Sequence, residues 1–147
     1  MAQPEKIIAY RIVQVAVEDF KMQPQQLDEK DELGINTSFS FQANFDLKCI
    51  RCLSSYVFTK CENKLIELTL SCVFSIEPST FESLYDESKT HLTVKAYFCR
   101  YMATIAVGAA RGAIAAKTQG SVFEAVVLPP INLMETIKQD SVFTVGQ

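Results

Sequence analysis

Through most of the first half of the chain apolar residues recur at every second position, and a period of two predicts antiparallel strands with one wet face. In residues 12–20, Val13, Val15 and Val17 share one face while Gln14, Ala16 and Glu18 share the other. That reads as a half-buried strand with a β-branched inner row. Phe39, Phe41, Ala43, Phe45 and Leu47 form a second row, opposed by Ser38, Ser40, Gln42, Asn44 and Asp46. A strand over residues 48–60 turns Ile50, Cys52, Tyr56 and Phe58 to one side. The turn at residues 61–64 leads into an unbroken apolar row of Ile66, Leu68, Leu70, Cys72, Phe74 and Ile76, with Leu65, Glu67, Thr69, Ser71 and Ser75 facing away. Two long runs joined so tightly predict a hairpin.

After Glu77-Pro78 the period lengthens. Phe81, Leu84 and Tyr85 stand at helical spacing and predict a short turn of helix within residues 80–87. A long helix is expected over residues 91–118, stopped by Gly120, and no strand is expected between Pro78 and Gly120. Its stripe of Ala103, Ala106, Ala109, Ala110, Gly112, Ala113, Ala115 and Ala116 suits the close approach of another helix. A proline-broken apolar stretch and a short second helix follow, ending near Asp140. Residues 20–34 are polar, charged and interrupted by proline, so they form a long connection, with the charges from Asp28 to Glu32 in a solvated loop. The expected fold is α+β: a four-stranded antiparallel sheet followed by a long helix and a short C-terminal helix packed on one face. One domain is expected over residues 1–147, with its core at about 12–140 and no internal repeat.

With 147 residues, 48% of them hydrophobic, the chain can bury a real core. The net charge of −3 and scattered Lys and Arg argue against nucleic acid as a partner. The apolar run at residues 102–110 is too short to insert in a membrane and is flanked by Arg100 and Arg111. The polar start lacks a signal-peptide core, so a cytoplasmic protein with reduced thiols is expected. Cys49 and Cys52 are three apart on a strand and point to opposite faces, which reads as structural thiols; stoichiometric zinc in the purified protein would overturn this. His91 has no apparent acid partner, Ser54 and Ser55 lack a G-x-S-x-G elbow, and no Gly-rich phosphate loop occurs. An enzyme is therefore not expected, and neither is a cofactor or metal. A hotdog-type thioesterase also wraps a sheet around a long helix, but there the helix precedes most strands.

The hairpin ending in Val73-Phe74-Ser75-Ile76, the Ala110-Arg111 pair, the stop at Gly120 and the run Val127 to Leu133 (VLPPINL) occur in an order that resembles the SecB-type export chaperones. That last run is similar to the Leu-x-Pro-Val-Asn-Phe signature of the family, and the resemblance spans residues 12–140. The family's glycine before the hairpin end is replaced by Cys72-Val73, its proline after the helix by Val122-Phe123-Glu124, and its long tail by SVFTVGQ.

The resemblance implies an ATP-independent chaperone that holds unfolded or precursor proteins for export. The alternative is a SecB-like protein dedicated to one partner, such as an antitoxin. It implies an apolar client groove, for which Phe20 and Met22 after the first strand and Leu133, Met134 and Ile137 on the last helix are the candidates. It also implies a dimer of dimers, with Ala106, Ala109, Gly112 and Ala113 on the assembling helix. The SecA translocase motor would dock on the outer sheet face at Glu18, Leu65 and Glu67; with Gln14 in place of a second acid, that contact is expected to be weak or lost.

Overall fold

The computed structural model describes residues 8–28 and 31–146. Four strands, β1 (Tyr10–Met22), β2 (Gly34–Asn44), β3 (Cys49–Lys60) and β4 (Asn63–Ile76), form one antiparallel sheet in the order β1-β4-β3-β2. β2, β3 and β4 follow one another as hairpins, and the long connection carries β1 round to lie beside β4. Lys60 pairs with Asn63, so Cys61 and Glu62 close a two-residue turn, both with positive φ (50° and 69°). Primed turns of this kind match the twist of the strands they join.

The expected α+β architecture is present. The helical layer consists of α1 (Pro78–Ser83), the long α2 (Ala96–Lys117) and α3 (Leu133–Thr136). α2 packs Phe98, Met102, Ala106, Val107, Ala110 and Ile114 against the apolar rows of β3 and β4. Glu77 caps α1, its carboxylate accepting from the backbone N–H groups of Ser79 and Thr80.

Three details differ from expectation. A strand, β5 (His91–Val94), does lie between Pro78 and Gly120; it pairs with β6 (Ser141–Thr144), the segment read as a tail, in a separate two-stranded sheet. The β-branched Thr93 and Val94 beside Leu92 favour the strand, and α2 consequently begins at Ala96. The N-terminus of α2 has no cap of its own, and Asp140 supplies one from across the fold by accepting from Ala96 N at 2.8 Å. Leu47 lies in the β2–β3 turn and is exposed, outside the row of Phe39, Phe41 and Ala43.

The third difference concerns β1. Its apolar row was expected beneath the helix, yet Ile12, Val13, Val15 and Val17 are 46%, 52%, 51% and 40% exposed. α2 lies over β3 and β4 and meets β1 near its ends, through Tyr10 and Phe20, leaving the middle of β1 exposed. Register shifts between Ile12 and Gln14 and between Val17 and Asp19 also break the simple alternation. As a result Tyr10, Ile12, Val15, Val17, Phe20 and Met22 stand opposite the buried residues of β4, from Ile76 through to Ile66.

Candidate functional site

A concavity with aliphatic walls lies at the Phe58 end of the sheet. It has a volume of about 430 Å³ and is lined by Leu27, Leu33, Ile35, Phe58, Val122, Val126, Val127 and Pro129, with Asp28 and Asp31 on one side. Two connections build its walls. One is the β1–β2 connection, whose polar sequence carries Leu27 and Leu33 inward. The other is the segment after α2, where Phe123 and Leu128 are buried as anchors while Val122 and Val127 remain exposed. Arg111 holds this second wall in place: Nε donates to the carbonyl of Leu128 at 2.8 Å and Nη2 to that of Pro129 at 3.1 Å. The guanidinium satisfies two carbonyls in a segment that belongs to no strand ladder. The Ala110-Arg111 pair and the VLPPINL run are thus brought into contact.

The residues expected to line one client groove fall into two groups. Phe20 and Met22 pack at the edge of the cluster that contains Phe58, Leu33 and Val126, with Lys117 Nζ 5.4 Å from the Phe20 ring centroid. Leu133 and Ile137 belong to the other core cluster with Phe74 and Phe98, and Met134 is exposed. Ile137 is buried because its carbonyl is tied to Arg100 at 2.9 Å and the short helix packs down on α2. Leu27, Leu33, Val122, Val126 and Val127 were missed; the only signal was isolated aliphatic residues inside otherwise polar or proline-broken segments.

On the outer sheet face Glu18 meets Arg51 at 3.0 Å and Glu67 meets Lys64 at 3.8 Å. The neighbouring Asp19 lies 3.6 Å from Lys21. Leu65 is not an outer-face residue. It sits at the register shift between Phe58 and Thr59 and is only 2% exposed, packed with Phe58 and Ile66. The bulge places two successive residues on the inner side. Among the assembly candidates Ala106 is fully buried on the sheet-facing side of α2, Ala109 and Ala113 are half-buried, and Gly112 is exposed.

Cys52, Cys72 and Cys99 are buried, and burial pushes the Cys52 thiol up to about 12, so it stays protonated. Cys49 is half-buried and Cys61 exposed. His91 does have an acid partner: its Nδ1 lies 3.2 Å from Asp86 Oδ2, in the turn that leads into β5. Asp86 also accepts from the backbone N–H groups of Thr90 and His91, which makes it the organiser of that turn. Tyr56 is fully buried with a hydroxyl that has no hydrogen-bond partner, and burial raises it to about 12. Among the described residues no cluster of three or more His, Cys, Asp or Glu could hold a metal ion. No helix there is long and apolar enough to cross a membrane.

No family model matches the chain, and no curated protein matches it. Among solved structures, a protein of unknown function from Streptococcus agalactiae is similar at 9% identity and a TM-score of 0.39, over 86% of this chain and 99% of the other. That likeness carries no functional information.

Proposed function

We infer that this protein is an ATP-independent binder of unfolded polypeptide, holding extended apolar segments in the groove floored by Phe58. The observation that carries this reading is the groove itself, with aliphatic walls from two connections and Val122 and Val127 presented outward. Clients of varied sequence have apolar area in common, and the aliphatic walls offer it a surface. Release then comes from client folding or hand-over to a partner. The exposed β1 row and the open face around Gly112 support a homo-oligomer, with copies meeting along β1 and α2. A cytoplasmic site of action belongs to the same reading.

The test is suppression of aggregation of a chemically unfolded model protein. Protection near equimolar ratio is expected, and Val127→Asp should abolish it. A wild-type protein that gives no protection in molar excess would sink the reading.

The outer sheet face favours a second version of this function. Its carboxylates are each paired with a cation and Leu65 is buried, so the surface offers little to a translocase motor. A chaperone dedicated to one partner, such as an antitoxin, fits that face better than a general export factor. Protection of one partner at nanomolar affinity, with weak binding of generic unfolded chains, would distinguish it.

A further inference from the structure

The groove has an ion pair built into one wall. Lys60, the last residue of β3, stands two positions beyond the floor residue Phe58, and its Nζ lies 2.9 Å from Asp31 Oδ2. The same carboxylate oxygen accepts from Asp28 N at 2.6 Å, and Asp31 N donates back to the Asp28 carbonyl at 2.9 Å. One carboxylate therefore ties Leu27-Asp28 and the approach to Leu33 to the end of β3. Among the described residues this is the polar tie between residues 24–33 and the sheet; the connection's other anchor, Gln23 N to the Leu65 carbonyl at 2.8 Å, lies at its start. Lys60 holds the Asp31 carboxyl below its usual range and Asp31 raises Lys60, the opposite shifts that a formed pair produces. At the next residues inward the backbone is fixed by close packing. A Cβ on Gly34 would stand 2.8 Å from Thr59 Oγ1, so a side chain there would have to displace the Thr59 hydroxyl.

We propose that Asp31 and Lys60 are a positioning pair for the groove, holding Leu27 and Leu33 at the depth where an extended apolar segment binds and making that binding sensitive to salt. The inference rests on the groove being the binding site. Ion pairs near a surface contribute little to overall stability and are weakened by salt. Their effect is felt where an otherwise untied segment carries the contact residues. The two aliphatic side chains flank the pair, so loss of the charge frees both at once.

Two probes read this out: Nile red, which is neutral, by fluorescence, and a short peptide of alternating leucine and serine carrying a neutral dye, by anisotropy. Binding is compared at low and high salt for wild type, Asp31→Asn, Lys60→Met, the charge exchange Asp31→Lys with Lys60→Asp, and the groove variant Val127→Asp. Each single-charge variant should bind about threefold more weakly at low salt and lose the salt dependence. The charge exchange restores the ion pair but not the acceptor for Asp28 N, so it should recover part of the loss and bring back the salt dependence. Asp31→Asn keeps an acceptor for Asp28 N, so it decides the matter if Lys60→Met fails to fold. Single variants that bind like wild type with unchanged salt dependence, while Val127→Asp abolishes binding, overturn the positioning role and leave the groove standing. Wild type that binds neither probe, or binding that Val127→Asp leaves intact, overturns the groove and this inference with it.

Discussion

β1 and β4 lie side by side in one sheet and carry similar apolar rows, yet they meet opposite fates. Ile66, Leu68, Leu70, Cys72, Phe74 and Ile76 of β4 are buried beneath α2, while their partners Ile12, Val15 and Val17 on β1 remain in water. Residue type does not separate them, because both rows are rich in aliphatic and β-branched side chains. Coverage does. β4 is an inner strand with neighbours on both sides and a helix above; β1 is an edge that α2 covers only near its ends. An apolar row records which face is meant to be dry, and leaves open whether the chain itself or another molecule dries it. A bare edge strand of this kind is a place where proteins meet other chains.

The sharpest way to separate the two strands is to truncate one side chain in each. Phe74→Ala removes a fully buried ring that packs against Tyr10, and it should cost about 3–5 kcal/mol in urea unfolding. Val15→Ala should cost less than about 1 kcal/mol when the protein is dilute. If copies cover β1, the cost of Val15→Ala grows with protein concentration, because assembly adds to the stability of the wild type. Equal, concentration-independent costs for both variants would mean that the difference in coverage has no energetic content.

α2 divides between its two faces in the same way, and a pair of substitutions sharpens the comparison. Ala106 is fully buried against the sheet, so Ala106→Leu should destabilise by about 1–3 kcal/mol through overpacking. A Cβ at Gly112 meets nothing within 4 Å, so Gly112→Leu should leave the monomer at least as stable, leucine being the better helix former. Light scattering then reports on assembly separately from folding. Loss of the oligomer with an intact thermal transition is expected for Gly112→Leu, and an unchanged assembly would remove the open face of α2 from the interface.

The same contrast explains how far the fold could be read from the chain. The sheet was legible because the rows of β2 and β3, and of β4 from Ile66 onward, keep a period of two and the breaks fall at Pro78 and in the turn at Cys61-Glu62. β5 and β6 were hidden because four residues make too short a run to show a period, and their pairing joins segments some fifty positions apart. Leu65 was misassigned by a bulge, which shifts parity by one and leaves no mark in composition. The candidate site was the least legible part. Phe20 and Met22 lie close to it, but Leu27 and Leu33 acquire meaning only when a long polar connection is folded against Phe58. Long connections carry little periodic signal and much of a protein's specificity.

The smallest expected effect lies where the β1–β4 ladder ends. Glu77 follows Ile76, donates its backbone N–H to the carbonyl of Ala9 at 2.9 Å, and turns its carboxylate onto the start of α1. Hydrogen bonds from the Ser79 hydroxyl and from the backbone N–H groups of Ser79 and Thr80 pull that carboxylate from its ordinary 4.5 down to about 2. The folded state therefore holds its proton less tightly than the unfolded chain does. Stability from this group is fully present above the ordinary carboxylate range and is lost as the pH falls towards about 2. Glu77→Gln keeps an acceptor at the cap and removes the titration. Its Tm should fall slightly at neutral pH, and the gap from wild type should close as the solution is acidified. The exposed β1 row contains no titrating group, so Val15→Ala should run parallel to wild type through the same acid range. A gap for Glu77→Gln that stays constant down to the lowest pH would show that the cap acts through shape alone.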